Sequence, residues 1–173
     1  NTALPADVAV VSVEKAEDRF HARYLATAKT YCYRIIDGPA GNPFLHRFAW
    51  RVPEVLDTDR MEEAADVFAG THDFSAFTID RGKPNKTRTV YSVTVRRVRL
   101  FGSEHLEIHV RGDGFLWKQV RLMVSALVAV GRGEIDSARL QGILESRDRS
   151  LAPAPAPARG LTLLSVEHER EAR

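Results

Sequence analysis

Residues 89–111 read TVYSVTVRRVRLFGSEHLEIHVR and predict a β-hairpin. From residue 106 to residue 111, apolar side chains alternate with polar or charged ones, which gives one buried face and one wet face. The residues before the turn are rich in valine, which favours strands. Gly102 and Ser103 supply the turn. Because the strands of a hairpin are antiparallel, this segment predicts a sheet built around an antiparallel pair.

Helices and further strands flank the hairpin in an order typical of an α+β fold. A helix is predicted after Asp57, because apolar residues recur at helical spacing from Met61 to Phe68, and Gly70 is placed to end it. The other predicted elements are strands over residues 8–13, 31–36, 46–52 and 161–166, and helices over residues 115–130 and 137–146. We therefore expect one α+β unit over residues 1–173, with a mainly antiparallel sheet and helices packed on one face.

The composition fits a globular protein in a reducing, cytoplasmic compartment. Hydrophobic residues make up 44% and charged residues 28% of the 173 residues, which is ordinary for a folded soluble domain. No apolar run reaches the roughly 18–20 residues that span a membrane, and the N-terminus lacks a signal-peptide pattern. The single cysteine, Cys32, excludes an internal disulfide and a cysteine metal cluster.

Basic residues are concentrated between Arg81 and Arg99, although the formal net charge is only +2. This segment holds seven basic residues and no acidic one. Such a local excess attracts a polyanion such as RNA. The alternative is a solvated strand face preceded by a loop, and the composition leaves both interpretations open.

Common catalytic and metal motifs are missing from the sequence. It contains no Walker loop, no GxGxxG after a strand, no HExxH and no GxSxG. The six histidines do not cluster at ligand spacing, so no metal site is expected. The residues alone predict an α+β protein that is a candidate for RNA binding.

Five short segments carry a more specific pattern. They are FHAR at residues 20–23, ATAKTYCY at 26–33, GTHDFSAF at 70–77, FLWKQVR at 115–121 and RDRSLAPAPAPARGL at 147–161. In this order and spacing they resemble the C-terminal half of the catalytic domain of the TruA-type tRNA pseudouridine synthases. The resemblance covers nearly all 173 residues. Each segment alone is weak evidence, and their common order makes the resemblance specific.

The resemblance implies an isomerase that converts uridine to pseudouridine in the anticodon stem-loop of tRNA, without a cofactor. The family's nucleophile is an aspartate in an Arg-Thr-Asp motif, and no Arg-Thr-Asp occurs in this sequence. We therefore expect a fragment that is inactive alone and is completed by an N-terminal half of the same protein. The family also implies a homodimer that acts on tRNA.

Three residues match functional positions of the family. Tyr31 matches the active-site tyrosine, whose ring would stack on the target base and whose hydroxyl is a candidate for proton transfer. Arg121 matches an arginine that pairs with the catalytic aspartate, and Leu161 matches an apolar residue of the uracil pocket. The alternatives are ordinary: Tyr31 or Tyr33 as core, Arg121 lying along Trp117 at the surface, and Leu161 as a plain strand residue.

Basic residues in two of the segments and in the loop before the hairpin are RNA-binding candidates, because phosphate contacts position a nucleic acid. They are His21, Arg23, Lys29, Lys83, Lys86 and Arg88. Each of them is equally compatible with an ordinary surface charge.

A non-enzymatic function is the second hypothesis. An isolated half of this kind would act as an RNA-binding or dimerisation module. The long helix, with Trp117, Leu122, Met123 and Leu127, would then bury its apolar side against a missing half or a second copy.

Overall fold

The computed structural model describes residues 1–80, 82, 84–100 and 102–168. The strands are β1 (Ala26–Ile36), β2 (Trp50–Arg51), β3 (Gly70–Asp73), β4 (Thr87–Leu100), β5 (Ser103–Gly112) and β6 (Leu161–His168). The helices are α1 (Thr58–Ala65), α2 (Gln119–Gly131) and α3 (Ser137–Ser146). The predicted α+β class is confirmed. No helix within the described ranges is long and apolar enough to cross a membrane.

One mixed sheet organises the chain. Its order is β2-β1-β5-β4-β3, and β6 also pairs with β1. β5 and β6 pair with overlapping parts of β1, so they lie on its opposite edges, and β2 continues the edge that β6 occupies. The β1–β2 pair is parallel and the other pairs are antiparallel. The expected sheet was mainly antiparallel, and the short parallel pair makes it mixed.

The hairpin prediction is confirmed. β4 and β5 pair from Leu100 opposite Ser103 down to Val90 opposite Gly112, with one irregularity near the far end. Leu106, Ile108 and Val110 are fully buried, as the alternation predicts. The hairpin therefore supplies two of the central strands and one wall of the core.

The helices cover one face of this sheet and form the main core with it. Every residue of α2 except Arg121 is buried, because the helix is apolar on nearly all sides. Leu122, Met123 and Leu127 are fully buried within this chain, so they are not available to a second copy or a missing half. Of the four residues named for an apolar contact with further polypeptide, only Trp117, which is 63% exposed, keeps a free surface in the described chain.

Helix starts follow local capping chemistry. The Asp57 carboxylate accepts a hydrogen bond from the Arg60 backbone N–H at 3.1 Å, so Asp57 is the N-cap of α1 and the helix begins after it, as predicted. The start predicted at residue 115 for α2 is wrong by four residues. Lys118 adopts a left-handed backbone with φ of 63°, which interrupts helical geometry, and α2 begins at Gln119.

Two predicted strands are corrected. Residues 8–13 do not form a strand: all of residues 1–25 are exposed, and Val11 is 98% exposed. A β-branched run becomes a strand only when a neighbouring strand pairs with it, and the described chain provides none there. The strand expected over residues 46–52 shrinks to Trp50–Arg51, because the preceding residues form turns such as the Phe48 N–H to Leu45 carbonyl bond at 2.8 Å.

Candidate active site

Two tyrosines of β1 point to the helix-covered face of the sheet. Tyr33 is fully buried, whereas Tyr31 is only partly buried and packs against the core from its edge. The Tyr31 ring meets the Phe115 ring edge-on, with the centroids 5.4 Å apart. Of the two tyrosines, Tyr33 is therefore the core residue and Tyr31 keeps an accessible surface for a ligand.

β6 brings leucines beside these tyrosines. Leu161 lies opposite Tyr33, and Leu163 lies opposite Tyr31. Side chains directly opposite in an antiparallel pair share one face of the sheet. Leu161 is partly buried and Leu163 is 49% exposed, so the tyrosine and both leucines make a partly open apolar surface.

Gly160 permits the close approach that places Leu161. A Cβ atom at this position would lie 2.6 Å from two ring carbons of Tyr33 and 2.9 Å from the Arg34 carbonyl oxygen. No side chain fits there without displacing the ring or the strand. The absence of a side chain at Gly160 is therefore what lets the backbone approach Tyr33 this closely.

Arg121 lies half-buried near the start of α2. Its Nε donates a hydrogen bond to the Ala156 carbonyl at 2.5 Å, and the Ala156 N–H donates to the Arg121 carbonyl at 3.1 Å. Burial raises the pKa of Tyr33, and the positive charges of Arg121 and Arg159 oppose this rise. Within the described part of the chain, no carboxylate forms an ion pair with Arg121.

The Ala-Pro segment, residues 152–157, links Arg121 to Leu161. Its carbonyl groups accept hydrogen bonds from three side chains: Arg121 at Ala156, Tyr33 at Pro157, and Arg149 at its first two residues. The Tyr33 hydroxyl bond to Pro157 measures 2.7 Å, and the Arg149 bonds measure 2.7 and 2.9 Å. Prolines cannot donate to a sheet, so these side chains fix the segment instead. Arg121 and Tyr33 thus bond to adjacent carbonyl groups of this segment, and Leu161 lies opposite Tyr33 across the β1–β6 pair.

Comparisons with known proteins agree with this geometry. The sequence profile of the family described as tRNA pseudouridine synthase matches residues 64–169. A tRNA pseudouridine synthase A 2 of Bacillus cereus is 40% identical over 168 residues, which cover 96% of this chain and 67% of the relative. The chain belongs to the tRNA pseudouridine synthase family. The tRNA pseudouridine synthase A of Bacillus sp. (strain KSM-64) is 41% identical over 167 residues, 96% of this chain and 66% of the relative. The tRNA pseudouridine synthase A of Thermoanaerobacter sp. (strain X514) is 36% identical over 167 residues, which cover 96% of this chain and 67% of the relative. The chain spans about two thirds of the length of these relatives.

The RNA-binding candidates of this family member lie in three places. His21 and Arg23 belong to the exposed segment before β1, where the His21 Nδ1 accepts the Arg23 backbone N–H at 3.2 Å. Lys29 lies on β1, two residues before Tyr31 and on the same face. Lys86 and Arg88 flank the start of β4. Lys83 lies outside the described residues.

Two residues beside the candidate site had no functional role in the sequence-based predictions, namely Arg159 and Tyr33. Arg159 is exposed and directly precedes Gly160. Its signal in the sequence is its place two residues before Leu161, which matches the uracil pocket. The role of Tyr33 depends on Pro157, which is 124 residues away along the chain, so no local pattern reveals it.

A polar cluster occupies the opposite face of the sheet. The ligand atoms of Cys32, Glu107 and His109 lie within 4.8 Å of one another, so these side chains could together hold a metal ion. In the structure Glu107 instead pairs with Arg34 at 2.8 Å and with His109 at 3.0 Å. Burial favours a raised pKa for Glu107, but hydrogen bonds from His109, Arg34 and His105 outweigh it and lower the pKa to about 2. Burial and the Glu107 charge raise the pKa of Cys32 to about 11, which keeps the thiol neutral.

Proposed function

We propose that this chain forms part of an enzyme that isomerises uridine to pseudouridine in the anticodon stem-loop of tRNA. The observation that carries the proposal is the state of Arg121, which is half-buried, is held through Nε by the Ala156 carbonyl, and lacks a carboxylate partner among the described residues. A partly buried cation is stabilised by a carboxylate. The catalytic aspartate then comes from polypeptide outside these 173 residues, and the chain alone is inactive.

The proposed reaction breaks the bond between uracil N1 and ribose C1′, turns the base, and forms a bond between C5 and C1′. The proton at C5 leaves and N1 gains a proton, so the product is an isomer and no cofactor is consumed. Arg121 would keep the aspartate ionised, because a neighbouring positive charge lowers a carboxyl pKa. The hydrogen bond from Nε to the Ala156 carbonyl holds the guanidinium in place. The two terminal nitrogens would then donate to the aspartate.

Tyr31 and Leu161 would hold the flipped base. The accessible face of the Tyr31 ring offers a stacking surface, and its contact with Phe115 fixes the ring plane. Leu161 and Leu163 would pack on the base and exclude water. The Tyr31 hydroxyl is our candidate for moving the proton at C5.

The basic candidates would hold the RNA backbone. Lys29 supports this role best, because it lies on the same strand face as Tyr31. His21, Arg23, Lys86 and Arg88 would contact phosphates farther from the target, and Lys83 is assigned to the same role from its place in the sequence.

We propose further that the complete enzyme works in the cytoplasm as a homodimer. Trp117 is 63% exposed just before α2 and offers an apolar contact to further polypeptide. Sedimentation of a protein extended upstream should give twice the protomer mass. A monomeric mass across the micromolar range would contradict the dimer.

The proposed activity is tested by assaying pseudouridine formation in unmodified tRNA, with this chain and with an upstream-extended protein. The extended protein should be active and the chain inactive. In the extended protein, Tyr31→Ala should cut turnover far more than tRNA affinity, because stacking acts on the flipped base. The matched control, Tyr91→Ala, removes a partly exposed tyrosine of β4 that lies beside Arg111 and outside the proposed site, and it should leave turnover nearly unchanged. Normal turnover for Tyr31→Ala would contradict the assignment.

A further inference from the structure

A cavity of about 450 Å³ lies at the edge of β1 where β2 and β6 meet. Ile36 of β1, Arg51 of β2 and Arg159, which precedes β6, contribute to its lining. Pro43 and His46 close it from the loop between β1 and β2. It is therefore a concave surface with an apolar floor and three basic side chains.

The charge of this cavity is of one sign. No aspartate or glutamate is among the described residues that line it. Arg51 is held by backbone carbonyl groups, through Nη1 to Ile36 at 3.2 Å and to Val52 at 2.6 Å, and through Nη2 to Pro39 at 3.0 Å. These bonds fix its position, and none of the described carboxylates forms an ion pair with it. Arg159 is exposed and, in the described ranges, forms no ion pair.

The cavity borders the candidate active site through the backbone. Arg159 is two residues before Leu161, and Leu161 lies opposite Tyr33. Arg159 shares the lining of the cavity with Ile36 of β1, three residues after Tyr33, so the cavity and the site lie at the same end of the β1–β6 pair. A chain of RNA whose base entered the site would carry its neighbouring phosphates past this edge.

We propose that this cavity binds a backbone phosphate of the RNA chain next to the target uridine, with Arg159 as the main contact and Arg51 and His46 as its support. A phosphodiester is the anion that the proposed substrate presents there, and arginine recognises its oxygens through paired N–H donors. This inference rests on the proposed function and names a contact of the same substrate.

The test combines a protein substitution with removal of single phosphate charges. Binding of an anticodon stem-loop RNA to the chain is measured against salt concentration, for the chain and for Arg159→Gln. A set of RNAs, each with one neutral methylphosphonate linkage near the target uridine, is measured in parallel. Arg139→Gln is the matched control, because Arg139 is an exposed arginine on α3 and plays no part in the site.

Arg159→Gln should weaken binding several-fold and reduce the slope of log affinity against log salt by about one, as expected for one lost phosphate contact. One methylphosphonate linkage should weaken RNA binding by the unsubstituted chain as much as Arg159→Gln does. The same linkage should not weaken binding by the Arg159→Gln variant further. His46→Gln should cause a smaller loss at the same linkage.

Two results overturn the inference and are distinguishable. If the RNA binds and Arg159→Gln behaves like Arg139→Gln at every linkage, the phosphate site is wrong and the proposed function stands. If the chain and an upstream-extended protein both fail to bind the RNA, both the proposed function and the phosphate site are wrong. Circular dichroism of each variant separates loss of contact from loss of fold.

Discussion

The close contact at Gly160 leads to a prediction in which two similar substitutions have opposite effects. Gly160→Ala places a Cβ atom 2.6 Å from the Tyr33 ring, about 1 Å inside ordinary carbon–carbon contact. The ring cannot retreat easily, because Tyr33 is fully buried and its hydroxyl is bonded to Pro157. The Arg34 carbonyl oxygen, at 2.9 Å, blocks the other direction. Overpacking of this kind costs about 1–3 kcal/mol, and we expect the upper end.

Gly142→Ala is the matched control. Gly142 lies inside α3, and nothing lies within 4 Å of a Cβ atom built on it. Alanine is a better helix former than glycine, so this substitution should stabilise the fold by about 0.5–1 kcal/mol. Urea unfolding of the chain measures both variants. The two midpoints should move in opposite directions from that of the unsubstituted chain.

Equal midpoints for Gly160→Ala and the unsubstituted chain would refute the packing argument. A double substitution, Gly160→Ala with Tyr33→Leu, adds a second check, because a smaller side chain at position 33 relieves the clash. The cost of Gly160→Ala should then be smaller in the Tyr33→Leu background than in the original one. Additive costs would show that the ring is not what the new methyl group meets.

Three further predictions concern single contacts. Tyr33→Phe removes the hydrogen bond to Pro157 and should cost about 1 kcal/mol in urea unfolding, whereas Tyr24→Phe, at an exposed tyrosine, should cost nothing measurable. The Glu107 side chain is 16% exposed, and folding lowers its pKa from 4.5 to about 2. Its contribution to the free energy of unfolding is therefore complete above pH 4.5 and is lost as the pH falls towards 2. That contribution is at most about 3 kcal/mol, and Glu107→Gln should flatten the stability profile between about pH 5 and pH 2; an unchanged profile contradicts the assignment. Asp57→Ala removes the N-cap of α1 and should cost about 1 kcal/mol, and an unchanged midpoint would show that the cap is unimportant.

Local sequence patterns predicted the elements that depend on local chemistry. The hairpin, α3 and the Asp57 cap are all set by residues within a few positions of one another, and all three appear in the structure. The run at residues 8–13 has the right composition for a strand but lacks a partner in the described chain, and pairing is not a local property. The late start of α2 depends on one left-handed residue, Lys118, which carries no glycine or proline signal.

The candidate site was predictable only in part. The family resemblance supplied Tyr31, Arg121 and Leu161 as candidates. In the structure Leu161 lies opposite Tyr33, and Arg121 and Tyr33 bond to adjacent carbonyl groups. The contact between Arg121 and Ala156 joins residues 35 positions apart, so no periodicity predicts it. The cavity with Arg159 depends on the meeting of β2 and β6 at one edge of β1, which only the assembled sheet brings about.

The central claim is that Arg121 orients and keeps ionised an aspartate donated by further polypeptide. The most direct measurement is the single-turnover rate of tritium release from tRNA labelled at uridine C5, for an upstream-extended protein and its Arg121→Ala variant, with tRNA affinity measured alongside. Loss of a preorganised electrostatic contact should lower the rate by about 100- to 1000-fold, with affinity changed only a few-fold. A variant that releases tritium at nearly the unsubstituted rate would contradict the account.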